Sequence, residues 1–271
     1  MRIVALLVTA LLFGPSAHAD SQQTVLDAIQ TQCPIIAATG LPTLTAPAKT
    51  QLVCHTAYAA DVDLDRLVPR WVAYPLTGAH SLGCFARQNN FHADDALPPD
   101  HRATPKDYSK SGYDIGHQAP AQDFGWSAET ESQSFALSNM APQLPGLNRQ
   151  GWEGLEQAVR DWSLSRDLVV YVGPIVTDSD TSIGPHHVDV PAAGFWKVVV
   201  DLKTEEALAF IMPQQDIAKG DLHPWQVSIG EVEQRAGVHL PVLIDRTSKA
   251  DIWPAEDSAW HAAHKKACGS P

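Results

Sequence analysis

Apolar runs with the make-up of sheet strands recur along the chain, and segments of helical period separate them. Residues 53–59 and 70–76 read as strands; the second, R-W-V-A-Y-P-L, has the β-branched and aromatic content that suits a pleated surface. Residues 168–176 form an apolar strand that breaks at Gly173-Pro174. Residues 195–202 and 207–212 predict two adjacent strands with Thr204-Glu205 near the turn, and 134–140 predicts a strand or an extended stretch. Trp152, Leu155, Val159 and Trp162 recur at helical spacing and predict a helix over 149–162 with one buried face. A second helix is expected over 227–236, with Ser228 as N-cap and Glu231 completing a capping box. Shorter helices are expected over 24–32 and 255–266. Residues 34–50 read as an extended surface segment. The polar, proline-bearing stretch 88–112 reads as a long loop, which inside a compact domain is more often functional than idle. Strands and helices alternate without strict βαβ order. The expected class is therefore α+β, a mixed and largely antiparallel sheet with helices on its faces.

The first nineteen residues do not fit this scheme. Met1-Arg2 give a positive start, residues 3–13 an apolar core too short to span a bilayer with ease, and Ala17-His18-Ala19 a small-residue cleavage site. The expectation is a signal peptide over 1–19 and one domain over 20–271, secreted or periplasmic after cleavage near Ala19. No later stretch is apolar and long enough to suggest a membrane span. Cys33, Cys54, Cys84 and Cys268, an even count behind an export signal, favour two disulfides. Of the three pairings, Cys33–Cys54 with Cys84–Cys268 is preferred, the second tying the C-terminal tail to the body. With 31 acidic and 19 basic residues the formal charge is −12, which argues against nucleic-acid binding by bulk electrostatics. Arg87, Arg102, Lys106, Lys110, Arg149 and Arg160 nevertheless cluster on one segment, which implies modest, salt-sensitive affinity for an anion.

That segment holds the candidate chemistry. In Y-D-I-G-H-Q-A-P (113–120), His117 offers an imidazole that accepts a proton near neutrality. In N-R-Q-G-W (148–152), Asn148 offers a carboxamide, either as a helix N-cap or as a ligand for Mg²⁺, an ion that keeps most of its waters and takes further oxygens from a phosphate. The pairing suits metal-assisted cleavage of a phosphodiester. Glu156 and Arg160, four apart, are either a surface ion pair or a support for metal-bound water and a phosphate contact. Asn139 is a candidate for orienting His117 or the substrate, and Arg87 for clamping a phosphate. The pairs His186-His187 and His261/His264 would suit a transition metal but show no third ligand nearby, and Asp178-Ser179-Asp180 reads as a polar turn.

Together these motifs resemble the DNA/RNA non-specific endonuclease family with its ββα-metal active site. The family's D-R-G-H is similar to Asp114-Ile115-Gly116-His117, its S-N-x-x-P-Q to residues 138–143, and its N-x-x-x-W-x-x-L-E to residues 148–156. The resemblance extends over about residues 54–246, through P-R-W-V-A-Y at 69–74, residues 171–175, F-W-K-V at 195–198 and E-V-E-Q-R-A-G-V at 231–238. It implies a Mg²⁺-dependent enzyme, with Mn²⁺ as an alternative, that cuts DNA and RNA through phosphate contacts and leaves 5′-phosphate ends. His117 is implied as general base, Asn148 as metal ligand, Glu156 as outer-sphere support, Arg87 and Arg160 near phosphates, and Asn139 as a helper. Ile115 departs from the family's arginine. That departure keeps open a second expectation, a weakened or inactive nucleic-acid-binding protein of the same fold.

Overall fold

A computed structural model describes residues 30–31, 33–242, 245–254 and 258–269. The expected signal peptide and most of the helix expected over 24–32 lie outside the described residues. In chain order the strands that matter here are β1 (Thr50–Cys54), β2 (Ala59–Asp63), β3 (Val68–Leu76), β4 (Asp114–His117), β5 (Met140–Gln143), β6 (Leu168–Pro174), β7 (Phe195–Asp201), β8 (Ala207–Met212) and β9 (Gln226–Val227). The helices are α1 (Ile35–Thr39), α2 (Ala128–Ser134), α3 (Glu153–Ser163), α4 (Ile229–Ala236) and α5 (Ala259–Cys268). Seven strands make the main sheet in the order β9-β8-β7-β6-β3-β2-β1, and every pairing in it is antiparallel. The class is α+β, as expected, with the parallel component of a mixed sheet missing from this seven-stranded sheet.

The sheet is buried on both faces, which is why its strands read as nearly continuous apolar runs. Alternation sorts each strand between two cores. Val72, Tyr74, Val170, Val172, Phe195 and Phe210 join Trp152, Leu155, Val159 and Trp162 of the following helical segment on one face. Trp71, Ala73, Tyr171, Trp196, Val198 and Ile211 join Ile36 of α1 and Ile229, Val232 and Ala236 of α4 on the other. Ser228 caps α4 by accepting from the Glu231 amide at 3.2 Å. Glu231 itself pairs with Arg235 at 3.6 Å instead of closing a capping box.

Three expectations are corrected. Residues 34–50, expected as an extended surface segment, begin with α1, whose Ile36 and Thr39 are buried. The run 53–59 is the corner between β1 and β2, closed by the His55 amide donating to the Tyr58 carbonyl at 2.9 Å. The stretch 134–140 carries the end of α2 and a 3-10 turn, Leu137–Asn139, before the chain extends into β5. Both preferred disulfides are formed, Cys33–Cys54 and Cys84–Cys268. Among the described residues no helix is long and apolar enough to cross a membrane.

Candidate active site

A two-stranded hairpin and the helix that follows it build the site. β4 and β5 pair antiparallel with Asp114 opposite Gln143 and His117 opposite Met140. The chain then enters a π-helical turn, Leu147–Trp152, that runs into α3. Two glycines are required by close approach. A Cβ on Gly116 would lie 2.2 Å from Oε1 of Gln143, whose side chain lies over the strand. A Cβ on Gly151 would lie 2.4 Å from Cγ2 of Ile217, and the Gly151 amide donates to the Ile217 carbonyl at 2.8 Å. That tertiary bond takes a backbone donor out of the helical ladder at the wide turn, a feature often found at functional sites.

His117, Asn148, Arg87, Glu156, Asp114 and Arg149 all line one cleft of about 410 Å³. His117 is 8% exposed. Its ring lies among Phe91 and Phe135, with centroids 5.5 and 5.0 Å away. Burial, and then the charge of Arg87, pull its pKa down to about 3. Its Nε2 is buried without a hydrogen-bond partner. At neutral pH the imidazole is therefore uncharged and able to accept a proton.

Asn148 is not an N-cap; the helical backbone is continuous through it. Its Nδ2 donates to Asp114 Oδ2 at 2.9 Å. Arg149 grips the same carboxylate, Nε to Oδ2 at 2.8 Å and Nη2 to Oδ1 at 2.6 Å. Against the upward pull of burial, these bonds hold the Asp114 pKa below its ordinary value. The acceptor Asp114 fixes which way the amide faces, since a carboxylate takes a bond from the nitrogen and leaves Oδ1 as the unused end. A free hard oxygen, with carboxylates of Glu153 and Glu156 in the same lining, suits Mg²⁺ or Mn²⁺ and not a thiophilic ion. Among the described residues there is no cluster of three His, Cys, Asp or Glu side chains able to hold a metal alone. His186 is taken up by Asp107 at 2.9 Å and His264 by the Gly83 carbonyl at 3.0 Å.

Arg87 sets its guanidinium 4.9 Å from the Phe135 centroid, and its Nε donates to Asn89 at 2.7 Å. Arg160 and Asn139 are placed differently from the expectation. Arg160 is 0% exposed, lies outside the cleft lining, and pairs with Asp123 at 3.4 Å beneath the Trp260 ring. Asn139 is fully buried and clamps the chain after His117: its Oδ1 accepts from the Ala119 amide at 2.9 Å, and its Nδ2 donates to the Ala119 and Ser134 carbonyls at 2.8 Å. It holds β4 and β5 together from behind and does not face the cleft. Of the basic cluster in the sequence, Arg87 and Arg149 reach the cleft, while Arg102 pairs with Asp95 elsewhere.

Below the cleft lies a charge cluster that the sequence reading did not find. Asp123, Arg160 and Lys197 are buried beside Glu156, whose carboxyl burial raises to about 7, against the opposing charges of Lys197 and Arg160. Tyr74 donates its hydroxyl to Asp123 at 2.9 Å, and Lys197 Nζ sits 4.7 Å over the Trp152 ring. The available signal was Lys197 itself, a lone cation in the apolar central strand β7. Asp114 was in view as part of a motif, but its bonds to residues 148 and 149 depend on the fold.

An antiparallel sheet, a hairpin-helix unit on one face and a cleft that sets Arg87 and Arg149 beside a carboxamide define an α+β protein equipped to act on an anionic ester. The family model described as DNA/RNA non-specific endonuclease matches residues 38–246. The chain belongs to that family and is a nuclease. It is 36% identical over 212 residues to a nuclease of Syncephalastrum racemosum, covering 69% of this chain and 66% of that one. It is 30% identical over 246 residues to the mitochondrial Endonuclease G of Bos taurus, covering 79% and 82%. Its fold is similar to a chain in a crystal structure of the EndoG/EndoGI complex, with TM-score 0.67, 30% identity, and 75% of this chain and 91% of that chain covered.

Proposed function

We propose that the protein is an endonuclease that hydrolyses phosphodiester bonds of DNA and RNA with little sequence preference, using His117 as general base and a divalent ion, Mg²⁺ or Mn²⁺, on Asn148. The observation that carries this reading is the shared cleft. The neutral imidazole and the oriented carboxamide open on one space large enough for a phosphate, with Arg87 beside them. A bound ion would supply Lewis-acid stabilisation of charge on the phosphoryl and departing 3′ oxygens.

The residues of the chain do the rest. Arg87 binds the phosphodiester anion through its planar donor fork. Burial is the larger cause that depresses His117 and Arg87 the smaller; the anion offsets the Arg87 charge, so substrate binding restores part of the imidazole's basicity. His117 takes a proton from water, the oxygen attacks phosphorus in line, and the P–O3′ bond breaks; the 3′ oxygen leaves and takes a proton from solvent, so the phosphate stays on the 5′ end. Glu156, at the inner edge of the cleft, orients water near Asn148. Arg160 serves through Glu156 and Asp123 and not by touching phosphate. Asn139 serves by holding the segment behind His117. Contacts confined to phosphates account for indifference to sequence.

Ile115 lines the cleft where the family has arginine, and Arg149 supplies a guanidinium in the same space. Both disulfides, and the apolar N-terminal run, support export and action in the periplasm or outside the cell. The test is digestion of plasmid DNA and of RNA with Mg²⁺, Mn²⁺ and chelator. Metal-dependent loss of both substrates with 5′-phosphate products is expected. Activity that survives His117→Ala would remove the assigned base.

A further inference from the structure

A second groove, of about 670 Å³, runs between the loop over residues 83–87 and α5. It shares the lining residues Arg87 and Gln122 with the catalytic cleft, so the two spaces adjoin. The Cys84–Cys268 disulfide joins its walls. α5 lies beyond residue 246, where the match to the family model ends.

Its surface differs from the rest of the chain in two ways. Phe85, 41% exposed, lines it, and Trp126, 38% exposed, follows the lining residue Gly125. These are two of the three large apolar side chains left exposed among the described residues, the third being Leu202. His80 stacks on Trp126 with centroids 4.8 Å apart. The charge is also locally reversed. In a chain of formal charge −12, this lining carries Arg87 and Lys265, with His261 and His264. Its one acid, Glu131, is 1% exposed and accepts the Gln88 amide on Oε1 at 2.7 Å.

A polyanion held at its phosphate in the cleft must continue in some direction, and cations with an exposed ring mark this one. We propose that the groove is a second subsite for single-stranded nucleic acid, with Phe85 as a stacking platform for an unpaired base and Lys265 as a phosphate contact. The assignment rests on the nuclease reading of the neighbouring cleft. Single strands are specified because a base can lie on Phe85 only when it is free of its partner, and aromatic platforms beside cations suit such strands.

The test measures binding of fluorescent oligothymidylates to the full chain in chelator, by anisotropy. A dinucleotide, which fills only the cleft, is compared with an oligomer of about 12 nucleotides. Wild type is expected to bind the longer strand more tightly. Phe85→Ala should lose about fivefold or more on it, nothing on the dinucleotide, and Phe85→Tyr should restore the loss. Lys265→Ala should lower the slope of log affinity against log salt by about one. Both side chains are exposed, and unchanged thermal melting of each variant shows that the fold is intact. Equal affinity for short and long strands in wild type, or wild-type affinity in both alanine variants, overturns the subsite. Equal dependence on Phe85 for a duplex overturns the single-strand assignment. Wild type that degrades nucleic acid yet shows no length effect keeps the nuclease and loses the groove. Phe85-dependent binding by a protein that cleaves nothing keeps the groove and loses the proposed chemistry.

Discussion

Asn148 and Asp114 are joined by a 2.9 Å hydrogen bond from the amide nitrogen to the carboxylate, across 34 residues of sequence. The bond ties the first turn of the helical segment to the first strand of the hairpin, and it settles which atom of the amide is free. Arg149 neutralises the same carboxylate from the solvent side.

Asp114→Asn keeps the size of the side chain but lets the amide at 148 turn and releases Arg149. Affinity for Mg²⁺ should fall about 10- to 100-fold, with a smaller effect on kcat at saturating metal. Activity titrated against Mg²⁺ checks this; an unchanged metal dependence would show that Asp114 does not orient the ligand.

His117→Ala should lower kcat by about a hundred- to ten-thousand-fold, the usual contribution of a positioned base. Circular dichroism should be unchanged, and single-turnover cleavage of a labelled oligonucleotide gives the rate.

In the free protein His117 should not titrate between pH 8 and 5, because burial and Arg87 hold its pKa at about 3. The unfolded chain, with an ordinary histidine near 6.5, binds the extra proton first, so this group makes stability fall as pH drops from about 6.5 toward 3 and leaves it flat above. Imidazole NMR shifts followed through that range provide the check; a midpoint near 6.5 would contradict the burial.

Arg160→Ala should cost about 3 kcal/mol of stability, because it removes the ion-pair partner of buried Asp123 and leaves that carboxyl only the Tyr74 hydroxyl and the nearby charge of Lys197. Urea unfolding measures it. A variant with wild-type stability and a raised KM would instead return Arg160 to the role of phosphate contact.

Asp61, on β2, has its pKa raised from 3.8 to about 6, first by burial. Here the folded state holds the proton longer than the unfolded one, so stability declines as pH climbs from about 4 to 6 and stays lower above. Asp61→Asn should therefore stabilise the protein at pH 8 by up to about 3 kcal/mol and do little at pH 4. Melting at the two pH values decides the matter.

Much of this was legible before any coordinates, because apolar runs bounded by breakers mark buried strands directly. β3, β6, β7 and β8 fall within a few residues of the expected spans, and the buried stripe of α3 is the one read from Trp152, Leu155, Val159 and Trp162. α2 was missed because A-E-T-E-S-Q-S has no apolar face; it is held by the Ser127 cap and by burial of Thr130, Glu131 and Ser134. The residues of the cleft could be named from local motifs, but not the fate of each cation. Arg87 and Arg160 look equivalent in sequence. One is left in the cleft, while the other meets Asp123, 37 residues earlier in the chain, inside the protein. Only long-range packing makes that distinction.

The roof over Arg160 is Trp260, whose amide donates to Asp161 at 2.7 Å and whose indole donates to the Ser81 carbonyl at 2.8 Å. The helix carrying Trp260 is bolted down through Cys268, 184 residues from its partner Cys84. The charged floor beneath the cleft is therefore sealed by a helix that a disulfide to a distant part of the chain holds in place.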